Sequence, residues 1–217
     1  MKRYILFDLD GTLTESGRGI ANSIIYMLND FGIEVEDRES LRAWMGPPLV
    51  DSMQLFYGFD REKALRGVEK YREYFNTKGM YENEVYPGVP EMLAALKEKG
   101  YGIYMATSKP EAAARKIAEH FDLAGYFDYI GGASNDDSRG KKGDVIRYVL
   151  ETAGITDKDA VIMVGDREHD VIGARQNGLE TVGVLYGYGS RNELLDAGAE
   201  WVVDSVEALE QFLFDKF

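Results

Sequence analysis

The sequence predicts an α/β protein built on a doubly wound parallel sheet, with a small all-helical domain inserted after the first strand. Three observations carry that reading. Short apolar runs such as Tyr4-Ile5-Leu6-Phe7, Ile103-Tyr104-Met105-Ala106 and Val161-Ile162-Met163-Val164 have the length and composition of strands buried on both faces of a parallel sheet. Segments of helical period separate most of these runs, as crossover connections require. Residues from about 15 to 82 carry helical patterns only, too long a stretch for a connection within a compact sheet. The boundaries fall at 1–14 and 84–217 for the sheet domain and 15–83 for the helical one.

A chain of 217 residues can bury one core and a satellite domain, and 45% hydrophobic content without low-complexity stretches makes it globular throughout. The formal net charge of −13 argues against nucleic acid or an anionic membrane as a partner. A small anion stays compatible, because a metal ion and one or two placed cations reverse the potential inside a cleft. There is no cysteine, which removes disulfides, thiolate metal sites and a cysteine nucleophile. The apolar run after Met1-Lys2-Arg3 is too short for a signal sequence, and no segment reaches membrane-spanning length. The expectation is a soluble cytoplasmic protein, monomeric or homodimeric.

The first strand ends at Phe7 and runs into Asp8-Leu9-Asp10-Gly11-Thr12-Leu13. Alternation along an extended chain sends Asp8 and Asp10 to the same side, so two carboxylates meet at the strand's carboxyl end, where open α/β sheets bind ligands. Gly11 permits a sharp turn, and Thr12 adds a hydroxyl. Adjacent carboxylates repel unless a proton or a cation relieves them, and a hard cation such as Mg²⁺ would bring a phosphate with it. A surface loop with two solvated aspartates satisfies the same short pattern, so the choice rests on the rest of the chain.

Helical period follows, with Ile20, Ile24, Met27, Leu28 and Phe31 on one face and a stop at Gly32. A second helix is expected from Arg38 to Trp44 behind an N-cap at Asp37. Gly46-Pro47-Pro48 breaks the chain, Leu49, Met53 and Phe56 mark a helix closed by Gly58, and Asp60 caps a longer one with Ala64, Leu65, Val68, Tyr71 and Phe75 inward. Pro87-Gly88-Val89-Pro90 marks the return to the sheet domain, and the helix from Glu91 to Lys99 presents Met92, Leu93 and Leu96. The second strand, Gly102 to Ala106, ends in Thr107-Ser108-Lys109-Pro110 and feeds a helix reaching Phe121. Free backbone N–H groups at such a start suit a phosphate as well as an ordinary N-cap.

Phe127 to Gly131 reads as the third strand, followed by a polar loop from Gly132 to Gly140. Lys141 or Lys142 opens the next helix, with Val145, Ile146, Val149 and Leu150 inward and Gly154 as stop. A lysine there opposes the macrodipole, which points to a local purpose, and counting back from Gly154 favours Lys142. The fourth strand, Ala160 to Val164, leads into Gly165-Asp166-Arg167-Glu168-His169-Asp170. Asp166 lies just past a strand end, as Asp8 does, and Asp170 lies one helical turn further, in a helix carrying Ile172 and Ala174 to Gly178. Thr181 to Leu185 is the fifth strand, Gly187-Tyr188-Gly189 a flexible loop, and Trp201-Val202-Val203 the last strand, with capping boxes at Ser190/Glu193 and Asp204/Glu207. The terminal helix packs Leu209, Phe212 and Leu213. Right-handed crossovers bring the first and fourth strands together.

Four of these stretches stand in the order and positions of the motifs of the haloacid dehalogenase superfamily of phosphohydrolases: Asp8 to Leu13, Thr107-Ser108, the lysine at 141 or 142, and Gly165-Asp166 with Asp170. Over essentially its whole length the chain resembles that family, in its phosphoglycolate phosphatase-like and 5'-nucleotidase-like branch with a helical cap. The resemblance implies a Rossmann-like core, a cap over the active site, and Mg²⁺-dependent hydrolysis of small phosphate monoesters, such as phosphoglycolate or a nucleoside monophosphate, through an aspartyl phosphate. It makes Asp8 the nucleophile, Asp10 the general acid and base, and Thr107 and Lys142 the phosphate-binding pair. Asp8, Asp10, Asp166 and Asp170 become the metal carboxylates, Asp166 directly and Asp170 in support. Thr12 and Ser108 are expected at the substrate, with Arg18, Gly46 and Arg42 of the helical domain toward its leaving group, and His169 is read as an orienting or surface residue. The residues around the lysine lack the Lys-Pro pattern common in close relatives. A phosphomutase resembling β-phosphoglucomutase and a non-catalytic binding protein on the same fold are the alternatives.

Overall fold

Consecutive apolar residues become strands here because both faces of the sheet are covered. The computed structural model describes residues 3–45, 47–134 and 138–216. The chain divides into two units, Met1–Glu15 with Val85–Phe217, and Ser16–Glu84.

The strands are β1 (Tyr4–Phe7), β2 (Thr14–Glu15), β3 (Glu84–Val85), β4 (Gly102–Pro110), β5 (Tyr129–Ala133), β6 (Val161–Gly165), β7 (Glu180–Val184) and β8 (Trp201–Val203). Six of them form one sheet in the order β5-β4-β1-β6-β7-β8. Every neighbouring pair in it is parallel, with Phe7 opposite Met105 on one side and Val164 on the other. β2 and β3 pair separately where the chain leaves and re-enters the sheet unit. Chain order runs outward from β1 through β4 to β5, then crosses to β6 and continues through β7 to β8. β1 and β6 therefore flank the point where the order reverses, the place at which such sheets open a crevice. On one face Leu6, Tyr104, Ala106, Val161 and Met163 pack beneath Val145, Ile146, Val149 and Leu150 of α6 (Lys142–Thr152) and Ala174 of α7 (Glu168–Gln176).

In the helical unit, α1 (Gly17–Asp30), α2 (Leu49–Tyr57) and α3 (Arg61–Phe75) enclose Ile24, Met27, Leu28, Leu41, Trp44, Met53 and Ala64. Asp60 caps α3 by accepting from Lys63 N at 2.8 Å, and Gly58 closes α2 at φ 63°. Several local expectations change. Residues 39–44 form a 3₁₀ helix, not an α-helix: Asp37 Oδ1 accepts from Glu39 N, and Leu41 N and Met45 N donate three residues back, to Arg38 O and Arg42 O. Leu65 is 44% exposed and so lies outside the inward stripe expected of it, and Ile172, 41% exposed, also faces outward. β4 continues through Thr107 to Pro110 past a register shift, and β5 begins two residues later than its apolar run suggests. Neither box at the C-terminal end closes. Ser190 accepts from Glu193 N, but the Glu193 carboxylate turns to Arg167 Nε at 2.7 Å. Ser205, not Asp204, caps α9 (Val206–Lys216), and Asp204 pairs with Arg191 instead.

Burial, more than sequence pattern, sets the stability scale. Ile162 is fully buried in β6, so Ile162→Ala should lower unfolding free energy by about 2–5 kcal/mol in urea titration, whereas Ile172→Ala should stay within about 0.5 kcal/mol. Equal losses at the two positions would contradict the assigned faces.

Candidate active site

The first carboxylate is placed by the sheet itself. Asp8 N donates to Val164 O at 2.9 Å, continuing the β1–β6 pairing one residue beyond the strand. The chain then winds tightly: Leu9 O accepts from Leu13 N at 2.9 Å and from Thr14 N at 3.0 Å. Gly11 sits at φ 82°, and a Cβ there would lie 2.2 Å from Asp166 Oδ2, so only glycine allows the turn and Asp166 to approach this closely. Asp166 follows the end of β6 and is fully buried. Its Oδ2 accepts from Tyr188 N at 2.8 Å, and its Oδ1 accepts from Thr12 Oγ1 at 3.4 Å.

Lys142, the first residue of α6, joins three elements. Its Nζ lies 2.7 Å from Asp8 Oδ1 and 2.7 Å from Asp170 Oδ1, and donates to Ala106 O on β4 at 3.0 Å. Three oxygens thus face the three donors of one ammonium. Asp170 is itself fixed, with Oδ2 accepting from Arg167 N at 3.1 Å across the start of α7. Across the rim, Lys109 Nζ lies 2.9 Å from Asp10 Oδ2, while Asp10 Oδ1 is buried without a hydrogen-bond partner among the described residues.

Among the described residues, Asp8, Asp166 and Asp170 form a group whose ligand oxygens lie within 4.8 Å of one another. Burial, opposed by Lys142 and reinforced by Asp170, pushes the Asp8 carboxyl up to about 6. Burial first, then Asp170 and Asp8, holds Asp166 well above the usual carboxylate range. For Lys142 burial acts downward, but Asp170 and Asp8 outweigh it and keep the ammonium charged. One ammonium therefore answers three buried carboxylates. An all-oxygen donor set with this surplus of negative charge fits a hard divalent cation such as Mg²⁺.

Known proteins are similar to this chain in sequence and in fold. The family described as haloacid dehalogenase-like hydrolase matches residues 5–184. The chain belongs to that family. A solved structure of a predicted phosphatase from Clostridium acetobutylicum is 49% identical, with a TM-score of 0.96 and 99% of each chain covered. A 5'-nucleotidase of Pseudomonas aeruginosa is 44% identical over 88% of this chain and 86% of its own. The tyrosine-protein kinase PtkA of Mycobacterium tuberculosis is 37% identical over 96% of this chain and 70% of its own.

Of the residues that the resemblance to haloacid dehalogenase-like hydrolases singles out, Asp8, Asp166, Asp170 and Lys142 converge directly, while Lys141 is exposed at the helix start. Thr107 is buried, with Oγ1 accepting from Lys109 N at 3.2 Å, and Ser108 beside it is partly exposed. Asp10 departs from the expectation: its carboxylate pairs with Lys109 and not with the other three acids. Thr12 departs too. Expected at the substrate, it is fully buried in this structure, and its hydroxyl donates to Asp166 Oδ1 at 3.4 Å. Arg18 is exposed on α1, Arg42 pairs with Glu39 at 3.6 Å, and Gly46 lies outside the described residues. His169 is half-buried and absent from the acidic group.

Two contributors escaped the sequence reading. Lys109 was visible only as part of a strand-end tetrapeptide, although a lysine within an apolar strand is itself a signal of a buried partner. The stretch 187–189, read as a flexible loop, is seated on Asp166; a Cβ at Gly187 would lie 2.4 Å from Asp166 Cβ, which the glycine spacing around Tyr188 anticipates.

The acidic surplus has a pH signature. Asp8 binds its proton more tightly folded than unfolded, so between 3.8 and about 6 the native state holds more protons and stability falls as pH rises through that window. In EDTA, Asp8→Asn should therefore melt several degrees above the wild type at pH 8, on the order of 3 kcal/mol, with about half of that gap left at pH 5 and none well below the unfolded value of 3.8. A variant less stable than the wild type at pH 8 would show that the Lys142 contact outweighs the burial of Asp8.

Proposed function

We propose that this protein is a Mg²⁺-dependent phosphatase of small phosphate monoesters that works through an aspartyl phosphate on Asp8. One observation carries the reading: a buried ammonium, Lys142, held 2.7 Å from a strand-end carboxylate at the reversal point of the sheet. A carboxylate attacks a phosphate dianion only if the charge on the transferring oxygens is neutralised and the approach is in line. Lys142 stands where a phosphoryl oxygen next to Asp8 would meet it, and Asp170 holds it there. Thr107 and the backbone at the end of β4 complete the cradle. When bound by Asp8 and Asp166, with Asp170 behind, Mg²⁺ supplies the positive charge that one lysine cannot.

Asp8 takes the phosphoryl group, and Asp10 protonates the departing oxygen. Water then attacks phosphorus, gives its proton to Asp10, and Asp8 returns to a free carboxylate. The helical unit 16–84 is proposed as the cap that selects the leaving group, on the strength of its insertion point. Small phosphorylated metabolites, phosphoglycolate and nucleoside monophosphates among them, are the substrate class. The names of the nucleotidase and predicted-phosphatase relatives support that class.

Phosphate release from a panel of phosphoglycolate, nucleoside monophosphates, sugar phosphates and a phosphotyrosyl peptide tests the reading. We expect a small ester to lead, activity to vanish in EDTA and return with Mg²⁺, and Asp8→Asn to lose turnover while staying folded. Retention of a tenth of kcat in Asp8→Asn, about 1.4 kcal/mol of barrier, would overturn the covalent route. A peptide turned over as well as the best metabolite would overturn the substrate class.

A further inference from the structure

Among the described residues the buried lysines are Lys109 and Lys142, and the chemistry above employs only the second. Lys109 lies in the irregular last stretch of β4, where its backbone is held on two sides: its N–H donates to Thr107 Oγ1, and its carbonyl abuts Gly132, at which a Cβ would come within 2.5 Å of it. The side chain reaches Asp10 Oδ2 at 2.9 Å. An ammonium buried this far needs an anionic partner, and breaking such a pair from either side is costly. The two oxygens of Asp10 are therefore inequivalent. Oδ2 is engaged by the ammonium, whereas Oδ1 is buried and has no hydrogen-bond partner among the described residues. A bare buried acceptor at the rim is poised for a partner that arrives with the substrate.

We propose that Lys109 is a positioning residue that clamps Oδ2 of Asp10 and so makes Oδ1 the oxygen that exchanges the proton. The proposal rests on the reading of Asp10 as general acid and base. As the bond between phosphorus and the ester oxygen breaks and the bond to Asp8 forms, the proton passes from Asp10 Oδ1 to the departing oxygen, leaving a free alcohol and an Asp10 carboxylate. In the second step the attacking water returns a proton to Oδ1 as the Asp8–phosphorus bond breaks. Rotation of the Asp10 carboxylate would separate Oδ1 from these oxygens, and Lys109 prevents it.

The test is a double-mutant cycle of Lys109→Met and Asp10→Ala, read as kcat/KM, which reports the first step, on p-nitrophenyl phosphate and on a phosphate ester of an unactivated alcohol. A good leaving group needs little protonation, so a misplaced acid is felt mainly with the poor one. Lys109→Met should lose about 10- to 100-fold on the alkyl ester and under about threefold on p-nitrophenyl phosphate, and add nothing once Asp10 is alanine. Independent, multiplicative losses in the double variant, or equal losses on both esters, would overturn the positioning role. Asp10→Ala alone losing no more on the alkyl ester than on p-nitrophenyl phosphate would defeat the general-acid reading, and the proposal with it. If Lys109→Met does not fold, Lys109→Gln, which keeps a hydrogen-bond donor, is read in the same cycle, with thermal melting confirming the native state.

Discussion

The contact between Lys142 and the two carboxylates of Asp8 and Asp170 is the interaction on which the site depends. It joins the end of β1, the start of α6 and the first turn of α7 through one ammonium. A charge buried so deeply is tolerated only while its partners stay in place, so the three elements are constrained together. The same contact leaves the site short of positive charge. With Asp166 fully buried beside Asp8 and Asp170, one cation faces three carboxyl groups, and their mutual repulsion is a strain that ligand binding can relieve. Stability given up locally in this way is a common property of sites built for charged ligands.

Much of this architecture was legible in the residues. Apolar runs a few residues long, each closed by an acid, placed Asp8 and Asp166 at strand ends, and a parallel sheet then aligned those ends on one rim, although β4 runs on three residues beyond Thr107. Lys142 could be singled out from Lys141 by its distance to the helix stop, because α6 keeps a regular period from its first residue to Gly154. Less legible were features decided by contacts between distant segments. Asp10 and Lys109 are far apart in the chain, so alternation along the first strand could place Asp10 near Asp8 but could not reveal that a lysine from β4 would pair with its carboxylate. Thr12 was likewise judged by its position at the mouth, where the deciding fact is its bond to Asp166.

The local misreadings share a physical cause. Capping patterns describe which bonds short polar side chains can make, and tertiary partners compete for the same groups. Glu193 is taken by Arg167 and Glu168, and Asp204 by Arg191, so neither completes its box. Leu65 was placed with Ala64 and Val68 on one apolar face and still faces outward, because a helical pattern does not fix how far the buried stripe extends around the helix. Relatives on this fold carry names as different as a nucleotidase and a tyrosine kinase, so substrate choice has to be argued from side chains and not from the sheet.

The charge deficit is the central claim, and divalent-ion binding measures it directly. Isothermal titration calorimetry with Mg²⁺ or Mn²⁺ on the metal-free protein should show one site per chain, lost in Asp166→Asn. Binding of unchanged affinity in Asp166→Asn, or no binding by the wild type, would contradict the account of why three carboxylates are buried around one lysine.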